Sequence, residues 1–572
     1  MNGPGRRARG CLVAVCVGAN VLEGALVLAF DPGASSSLAP QASAIAPFAT
    51  FHDLRWLSVF SNSWWAFAAE AAAMLLVRGA FVGAAVGWAW PSPSRHGASG
   101  AAAASKPGVR QRWVRGILAT AFLACLLAPC VVLLFASAVV PVSWLVIAGV
   151  PAALLVSLIL HPVAVRRDWW RRILPLRSLG WILLSFLVAT LAGVAISAAP
   201  SGVALVVDAL AGVFNAWAWC GMVTSVVVRP EARRPYPVVP VALAVLVVGV
   251  SIGALTSFSN ARATEVAKIA RARDAGGSPI SPKRGAGHPV LLLSGYGSAW
   301  TGGAVHPIPG AWQEVRFSYR GVGRDGVPLA YTGADTVKPL TELDRMLAYQ
   351  VQRLAGLTGQ RVDLVAESEG ALVVETYLHA APDAPVATVV LTSPLLTSGG
   401  VSYPPAPAGR WGIAAAGGMA ALGRALQSTA PINLSPQNPF LRSIVREAPL
   451  LRTLATCPVG GVHQVALLAL ADAVGVPAHF RAAFPTVVVA DFHGGMLQNP
   501  SLQRTIAAIL AGKAPDRPSP LQAAEDLVRW AASSWQVPDL PASYYPLTSA
   551  GAPLTCHQID AGLEGLLRET PS

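Results

Sequence analysis

The sequence predicts two unlike halves: an all-α bundle of about seven transmembrane helices, then an α/β domain with a mostly parallel sheet. Three observations carry this. Hydrophobic residues make up 53% of the 572-residue chain and charged residues only 12%, against roughly 25% charged in ordinary soluble proteins. Long apolar runs fill residues 1–260, whereas from His288 short β-branched runs alternate with helical segments. The net charge of +13 is unevenly divided, with 18 Lys+Arg against 7 Asp+Glu up to residue 260 and 24 against 22 beyond it. Basic residues between apolar runs mark the cytoplasmic side of a membrane protein. No basic stripe interleaved with aromatics occurs, so nucleic acid is set aside as a partner.

A bilayer-spanning helix needs about 20 apolar residues. Seven runs qualify: Cys11–Phe30, Trp64–Trp90, Val114–Ala138, Val142–His161, Leu179–Ala198, Val203–Val228 and Val238–Phe258. Breaks fall at Pro91-Ser92-Pro93, Pro141, the Arg166–Arg177 cluster, Pro200-Ser201-Gly202 and Arg229–Pro237. Basic residues precede the first run and fill the second, fourth and sixth loops, which places the N-terminus inside and the C-terminal half outside. The first run also admits a signal-peptide reading, with Ala42-Ser43-Ala44 as cleavage site, though it is long for one. Glu23, Glu70, Arg78 and Asp208 are ionisable residues within apolar runs. Glu70 and Arg78, eight apart on one face, are expected to pair within the bundle.

Residues 261–287 read as a short basic helix and a Gly/Ser/Pro-rich tether. In residues 288–572 strands are expected at Val290–Leu293, Val315–Tyr319, Val362–Ala366, Val386–Leu391, Val465–Leu470 and Val487–Ala490. A helix is expected from Asp335 to Leu357 and another from Glu369 to His379. A Gly/Ala/Pro-rich insertion, about 395–456, separates the fourth strand from the fifth and suits a helical lid.

The chemistry-bearing residues lie where these strands end. Ser368, in Ala366-Glu367-Ser368-Glu369-Gly370, stands between a strand and a helix with small residues two places to either side. Asp472 follows the fifth strand, and His493 lies just past the sixth in Asp491-Phe492-His493-Gly494-Gly495. This arrangement resembles the α/β-hydrolase superfamily, in its lipase- and esterase-like members, over roughly His288–Gly512. The elbow Gly-x-Ser-x-Gly here carries alanine for its first glycine, and the order Ser, acid, His is kept. The resemblance implies Ser368 as nucleophile, His493 as base and Asp472 as its orienting acid. It implies an oxyanion hole from the N–H of Glu369, with a second donor at Tyr296 or nearby in Ser294–Gly297. Asp491, His463 and His557 are rival candidates placed less well.

On that reading the substrate is an apolar ester or lipid, the partners are membrane lipids, and neither cofactor nor metal is expected. Glu367 and Glu369 are expected to disfavour anionic acyl groups if they point into the pocket. No CxxC or Cys/His cluster is present. Five cysteines lie in apolar runs, while Cys457 and Cys556 would face an oxidising compartment and could bridge. A transporter or assembly protein with a non-catalytic hydrolase-like module is the other function class the sequence allows.

Overall fold

A computed structural model describes residues 4–30, 39–61, 63–90, 107–139, 176–228, 287–303, 308–396, 437–451, 453–469, 472, 481–489, 491, 493–494, 496–513, 520–535 and 554–568. It also describes positions 413, 414, 417, 418, 421 and 424. The N-terminal half is helical: α1 (Pro4–Phe30), α2 (Ala46–Phe60), α3 (Trp64–Ala89), α4 (Val109–Val139), α5 (Leu176–Ala198) and α6 (Ser201–Val228).

Four helices are long and apolar enough to cross a membrane, over Arg6–Ala29, Trp64–Ala89, Val109–Val132 and Ser201–Val227. The expected seven is therefore reduced to four among the described residues. The apolar stretch of α5, Gly180–Ile196, is shorter than these four. The expected spans Val142–His161 and Val238–Phe258 lie outside the described residues. Helix α2 was not anticipated, because His52, Asp53 and Arg55 disqualify it as a span and it sits between two spans, where a loop was expected. It is nonetheless a buried element of the bundle.

Small residues allow the close helix contacts. A Cβ on Gly212 of α6 would stand 2.6 Å from the Cα of Val17 on α1, and one on Gly116 of α4 would stand 2.1 Å from the carbonyl of Gly79 on α3. Such positions let backbones approach where no hydrophobic gradient drives association. The anticipated Glu70–Arg78 pair does not form. Arg78 instead grips Asp53 of α2 through Nη2 to Oδ1 at 2.6 Å and Nε to Oδ2 at 2.7 Å. Glu70 accepts a hydrogen bond from the Ser61 hydroxyl, and Glu23 meets His52 at 2.7 Å.

Helices α1 and α6, α3 and α4, and α5 and α6 pack antiparallel, so chemistry separates along the bundle. Asn20 of α1 donates to the Asp208 carbonyl of α6 at 3.2 Å, and Ser178 of α5 meets Ser225 of α6 at 2.6 Å. One end thus collects the basic starts of α1 (Arg6, Arg7, Arg9), α4 (Arg110, Arg112, Arg115) and α5 (Arg177), together with the end of α6. Arg112 lies against Gly87 near the end of α3, completing that end. Helix α2 and the start of α3 lie toward the other.

The C-terminal half is built on six strands: β1 (His288–Leu293), β2 (Trp312–Arg316), β3 (Val362–Glu367), β4 (Val386–Thr392), β5 (His463–Ala469) and β6 (Thr486–Val489). They form one all-parallel sheet in the order β2-β1-β3-β4-β5-β6. Strands β3 and β5 are buried almost throughout, as near-continuous apolar runs in a covered parallel sheet should be. Strand β2 begins three residues before its expected start, because its register pairs Trp312 with His288 at the start of β1. The helix expected from Asp335 begins instead at Leu340, as α7 (Leu340–Thr358). Thr332 and Asp335 form a reciprocal capping box over a short 3₁₀ turn, and Pro339 sets the new start.

Helix α8 (Glu369–Ala380) follows β3 and is buried along its length. The described part of the insertion includes α9 (Pro439–Leu451). Beyond β6 come α10 (Pro500–Leu510), α11 (Pro520–Ser533) and α12 (Cys556–Arg568). Helix α11 ties the halves together. Its Gln522 accepts from Val488 N of β6 at 3.2 Å, while Trp535 just past its end stacks on Phe186 of α5 at 5.0 Å. Gln41 donates to the Ser534 carbonyl at 2.6 Å, and Trp535 Nε1 donates to Thr190 Oγ1 at 2.9 Å.

Cys457 and Cys556 are bonded, closing a sequence separation of 99 residues. The bridge fixes α12, which also buries Ile559 and Leu563 and sets Asp560 against His379 of α8 at 2.7 Å. A bridge across so long a loop restricts the unfolded chain strongly, and its loss is expected to cost about 2–5 kcal/mol. Thermal unfolding of the Cys457→Ser/Cys556→Ser variant should show a lower Tm; an unchanged Tm would mean that the other α12 contacts suffice.

Candidate active site

The order of the sheet reverses at β1 and β3: chain growth turns one way from β1 to β2 and the other way from β3 onward. Open parallel sheets place their sites at the carboxyl ends of strands flanking such a switch point. The loop Ser294–Gly297 leaves β1 there, and Ser368 leaves β3.

Ser368 sits at φ 56°, ψ −115°, a conformation rarely adopted by a residue with a side chain. The turn is held from outside, since Ser368 N donates to the Thr392 carbonyl at the end of β4 at 3.0 Å. Two glycines make room for it. A Cβ on Gly295 would lie 2.8 Å from Ser368 Cβ, and one on Gly370 would lie 3.0 Å from the Ser294 carbonyl. The sharp strand-to-helix reversal therefore depends on these two hydrogen-only positions, whereas Ala366 fits inside β3 as a buried methyl.

The structure brings together the three residues singled out from the sequence. His493 Nε2 stands 3.0 Å from Ser368 Oγ, and His493 Nδ1 stands 2.7 Å from Asp472 Oδ1. All three side chains are buried. An N–H on Nδ1 donating to Asp472 leaves Nε2 to accept from the serine hydroxyl, the tautomer needed for proton abstraction. Burial pulls the His493 pKa down. The Asp472 carboxylate, with Glu367 adding to it, more than offsets that, so the net shift is upward from 6.5.

The glutamates flanking Ser368 serve differently from what was expected. Glu367 Oε1 accepts the Met496 N–H at 2.7 Å, pinning the short turn that follows His493 to the strand that carries Ser368. Glu369 is fully buried, neither of its carboxyl oxygens has a hydrogen-bond partner, and desolvation raises its pKa well above the usual carboxylate range. Burial favours its neutral form, against the helix dipole that would favour its charge. Both side chains are buried, and the Glu367 charge acts on His493.

The rival residues are engaged elsewhere or displaced. Asp491 accepts from Asn499 Nδ2 at 2.7 Å. His463 is exposed at the start of β5, and His557 is exposed on α12. In the loop after β1, Gly297 N donates to Thr336 Oγ1 at 2.9 Å and Ser298 N to the Gly295 carbonyl at 3.1 Å. Neither N–H is thus positioned as a second oxyanion donor. Tyr296 follows Gly295, the residue pressed against Ser368, and its ring stacks on Phe440 at 5.7 Å while Asn438 donates to its hydroxyl.

Sequence reasoning missed the supports: Glu367 on Met496, Thr336 on Gly297 and Asn438 on Tyr296. Each joins residues more than 35 positions apart, and no local pattern announces such pairs. Among the described residues, no group of three or more His, Cys, Asp and Glu side chains is placed to hold a metal ion. No family model, curated protein or solved structure matches this chain, so the site's chemistry rests on its own geometry.

Proposed function

We propose that the chain is a membrane-anchored serine hydrolase of α/β-hydrolase type, cleaving or transferring an acyl ester through a covalent acyl-enzyme. The observation that carries this reading is the hydrogen-bonded chain Asp472–His493–Ser368, ending on a serine held in a strained turn at a helix N-terminus. In the proposed reaction Ser368 Oγ attacks the acyl carbonyl and its proton passes to His493 Nε2. The resulting imidazolium is stabilised by Asp472. The oxyanion is met by the N–H of Glu369, one of the unpaired donors that open a helix, and by that of Tyr296. Collapse breaks the ester bond, and His493 gives its proton to the departing alcohol. Water, or an acceptor alcohol, then repeats the attack on the acyl-serine and restores the enzyme. A neutral acyl ester is the proposed substrate, because the Glu367 carboxylate, whose charge acts on His493, disfavours an anionic one.

The proposed placement is N-terminus inside and hydrolase domain outside. It is supported by the basic residues gathered at one end of the bundle and by the Cys457–Cys556 bridge, which suits an oxidising compartment. Hydrolysis of a neutral p-nitrophenyl ester by the wild type beside Ser368→Ala tests the activity. Equal turnover by the two would remove Ser368 from the mechanism.

A further inference from the structure

The loop Ser294–Gly297, which in the proposed reaction lends the second oxyanion N–H, is seated on the chain that follows β2. Ser294 is buried and is gripped at two points. Its carbonyl accepts from the Tyr319 hydroxyl, and its own hydroxyl accepts from Nη2 of Arg316, the last residue of β2. Further along, Gly297 N donates to Thr336 Oγ1 at 2.9 Å, and the Gly297 carbonyl lies 2.9 Å from where a Cβ on Gly333 would stand. Trp300 and Tyr331 exchange backbone hydrogen bonds at 2.9 and 2.8 Å, and the Tyr331 ring packs on that of Tyr319 at 5.1 Å.

Two features separate the grip on Ser294 from ordinary loop packing. Arg316 is only 9% exposed, its Nε has no partner, and the bond to Ser294 is the only hydrogen bond its guanidinium makes among the described residues. Keeping a guanidinium out of water on a neutral hydroxyl costs more desolvation than one such bond returns. Tyr319 is fully buried with its ring between Phe317 and Tyr331, so its hydroxyl is a fixed point that does not follow a moving loop. Peptide geometry gives the grip its consequence. In a trans peptide C=O and N–H point opposite ways, so a Ser294 carbonyl held on Tyr319 turns the Gly295 N–H away from it. Gly295 is pressed against Ser368, and its carbonyl accepts from Ser298 N at 3.1 Å, which fixes the direction of the Tyr296 N–H in turn.

We propose that Arg316 and Tyr319 are positioning residues, which hold Ser294 so that the loop's N–H is aimed at the oxyanion before substrate arrives. This rests on the hydrolase reading of the same site. Both act through the Ser294 peptide, not on the acyl group itself. Donors fixed in advance need no rearrangement as charge develops, and an oxyanion hole owes its effect to that. Without the Tyr319 hydroxyl the buried Ser294 carbonyl loses this donor, and the 294–295 peptide is released to turn toward another. The loss then falls on the transition state and not on binding of the neutral ester.

The test uses the full-length protein in detergent micelles with p-nitrophenyl butyrate. Tyr319→Phe removes one oxygen and keeps the ring. It should lower kcat about 30-fold, part of the roughly 10²–10³ that a missing oxyanion donor costs, with KM within about twofold of wild type. Affinity for an alkyl trifluoromethyl ketone, which forms a tetrahedral adduct on the serine, should weaken by the same factor. The acid limb of the pH profile should stay in place, because the charges that raise the His493 pKa are those of Asp472 and Glu367. Arg316→Lys, which keeps a cationic donor, should retain most of the activity that Arg316→Met loses. Ser294→Ala, which removes the Arg316 contact from the loop side, should show the Tyr319→Phe split in smaller degree even if Tyr319→Phe does not fold. Tyr377→Phe, which removes a buried hydroxyl that makes no hydrogen bond, should leave kcat within about twofold. An unchanged kcat in Tyr319→Phe and Ser294→Ala, or a loss carried by KM, overturns the proposal, while Ser368-dependent turnover by the wild type leaves the hydrolase reading intact. Wild-type turnover that survives Ser368→Ala, or no turnover at all, overturns both readings.

Discussion

Ser368→Ala should lower kcat for a neutral ester by about 10⁶-fold, and His493→Ala by a similar factor. Without the Oγ no acyl-enzyme forms. Without the imidazole the hydroxyl, 3.0 Å away and pointed at it, keeps its proton at neutral pH. Because the two act as one unit, the double variant should lose little more than either single one. Additive losses would mean that His493 acts on something other than Ser368. The substitution at 368 removes one oxygen from a position where the backbone strain already exists, so stability should not fall with activity. The thermal transition of the variant checks this.

Asp472→Asn should lower kcat by about 10⁴-fold while leaving the backbone in place. The amide presents an N–H where Nδ1–H of His493 now donates, so the imidazole is driven toward the tautomer that cannot accept from Ser368. The pH profile separates this from a structural defect. In the wild type, burial lowers the His493 pKa but the Asp472 charge raises it more, and the group titrates above 6.5. The neutral imidazole is the base, so kcat/KM should fall as pH drops through that raised value and level off above it. With the carboxylate neutralised and burial unchanged, the acid limb of the residual activity should move to lower pH. A limb that stays put would mean that Asp472 does not set the charge of His493.

Much of the C-terminal architecture was legible because parallel strands are buried on both faces and announce themselves as short apolar runs. Val362–Ala366 and Val386–Leu391 were located almost to the residue, and strand ends then located Ser368, Asp472 and His493. The start of the helix after β2 was misjudged because Thr332–Asp335 is also a capping box and mimics a helix N-terminus, while Pro339 sets the actual one. The role of Glu369 was unreadable for a different reason. Whether a carboxyl next to the nucleophile meets solvent or the core depends on how α8 is buried on all sides.

In the helical half, hydropathy found α1, α3, α4, α5 and α6 but overlooked α2, whose charges look like loop residues until Arg78 and Glu23 are seen to meet Asp53 and His52. Pairing Arg78 with Glu70 on spacing alone failed because a neighbouring helix, α2, supplied a better partner in Asp53. The link from α11 into the bundle through Trp535 joins residues more than 300 positions apart, and periodicity carries no trace of such contacts.

The central claim is an activated serine at 368, and a fluorophosphonate probe on the membrane-inserted protein tests it most directly. Wild type should be labelled covalently, Ser368→Ala should not, and Asp472→Asn should label more slowly. A folded wild type that stays unlabelled, or a Ser368→Ala variant labelled as well as wild type, would contradict the account.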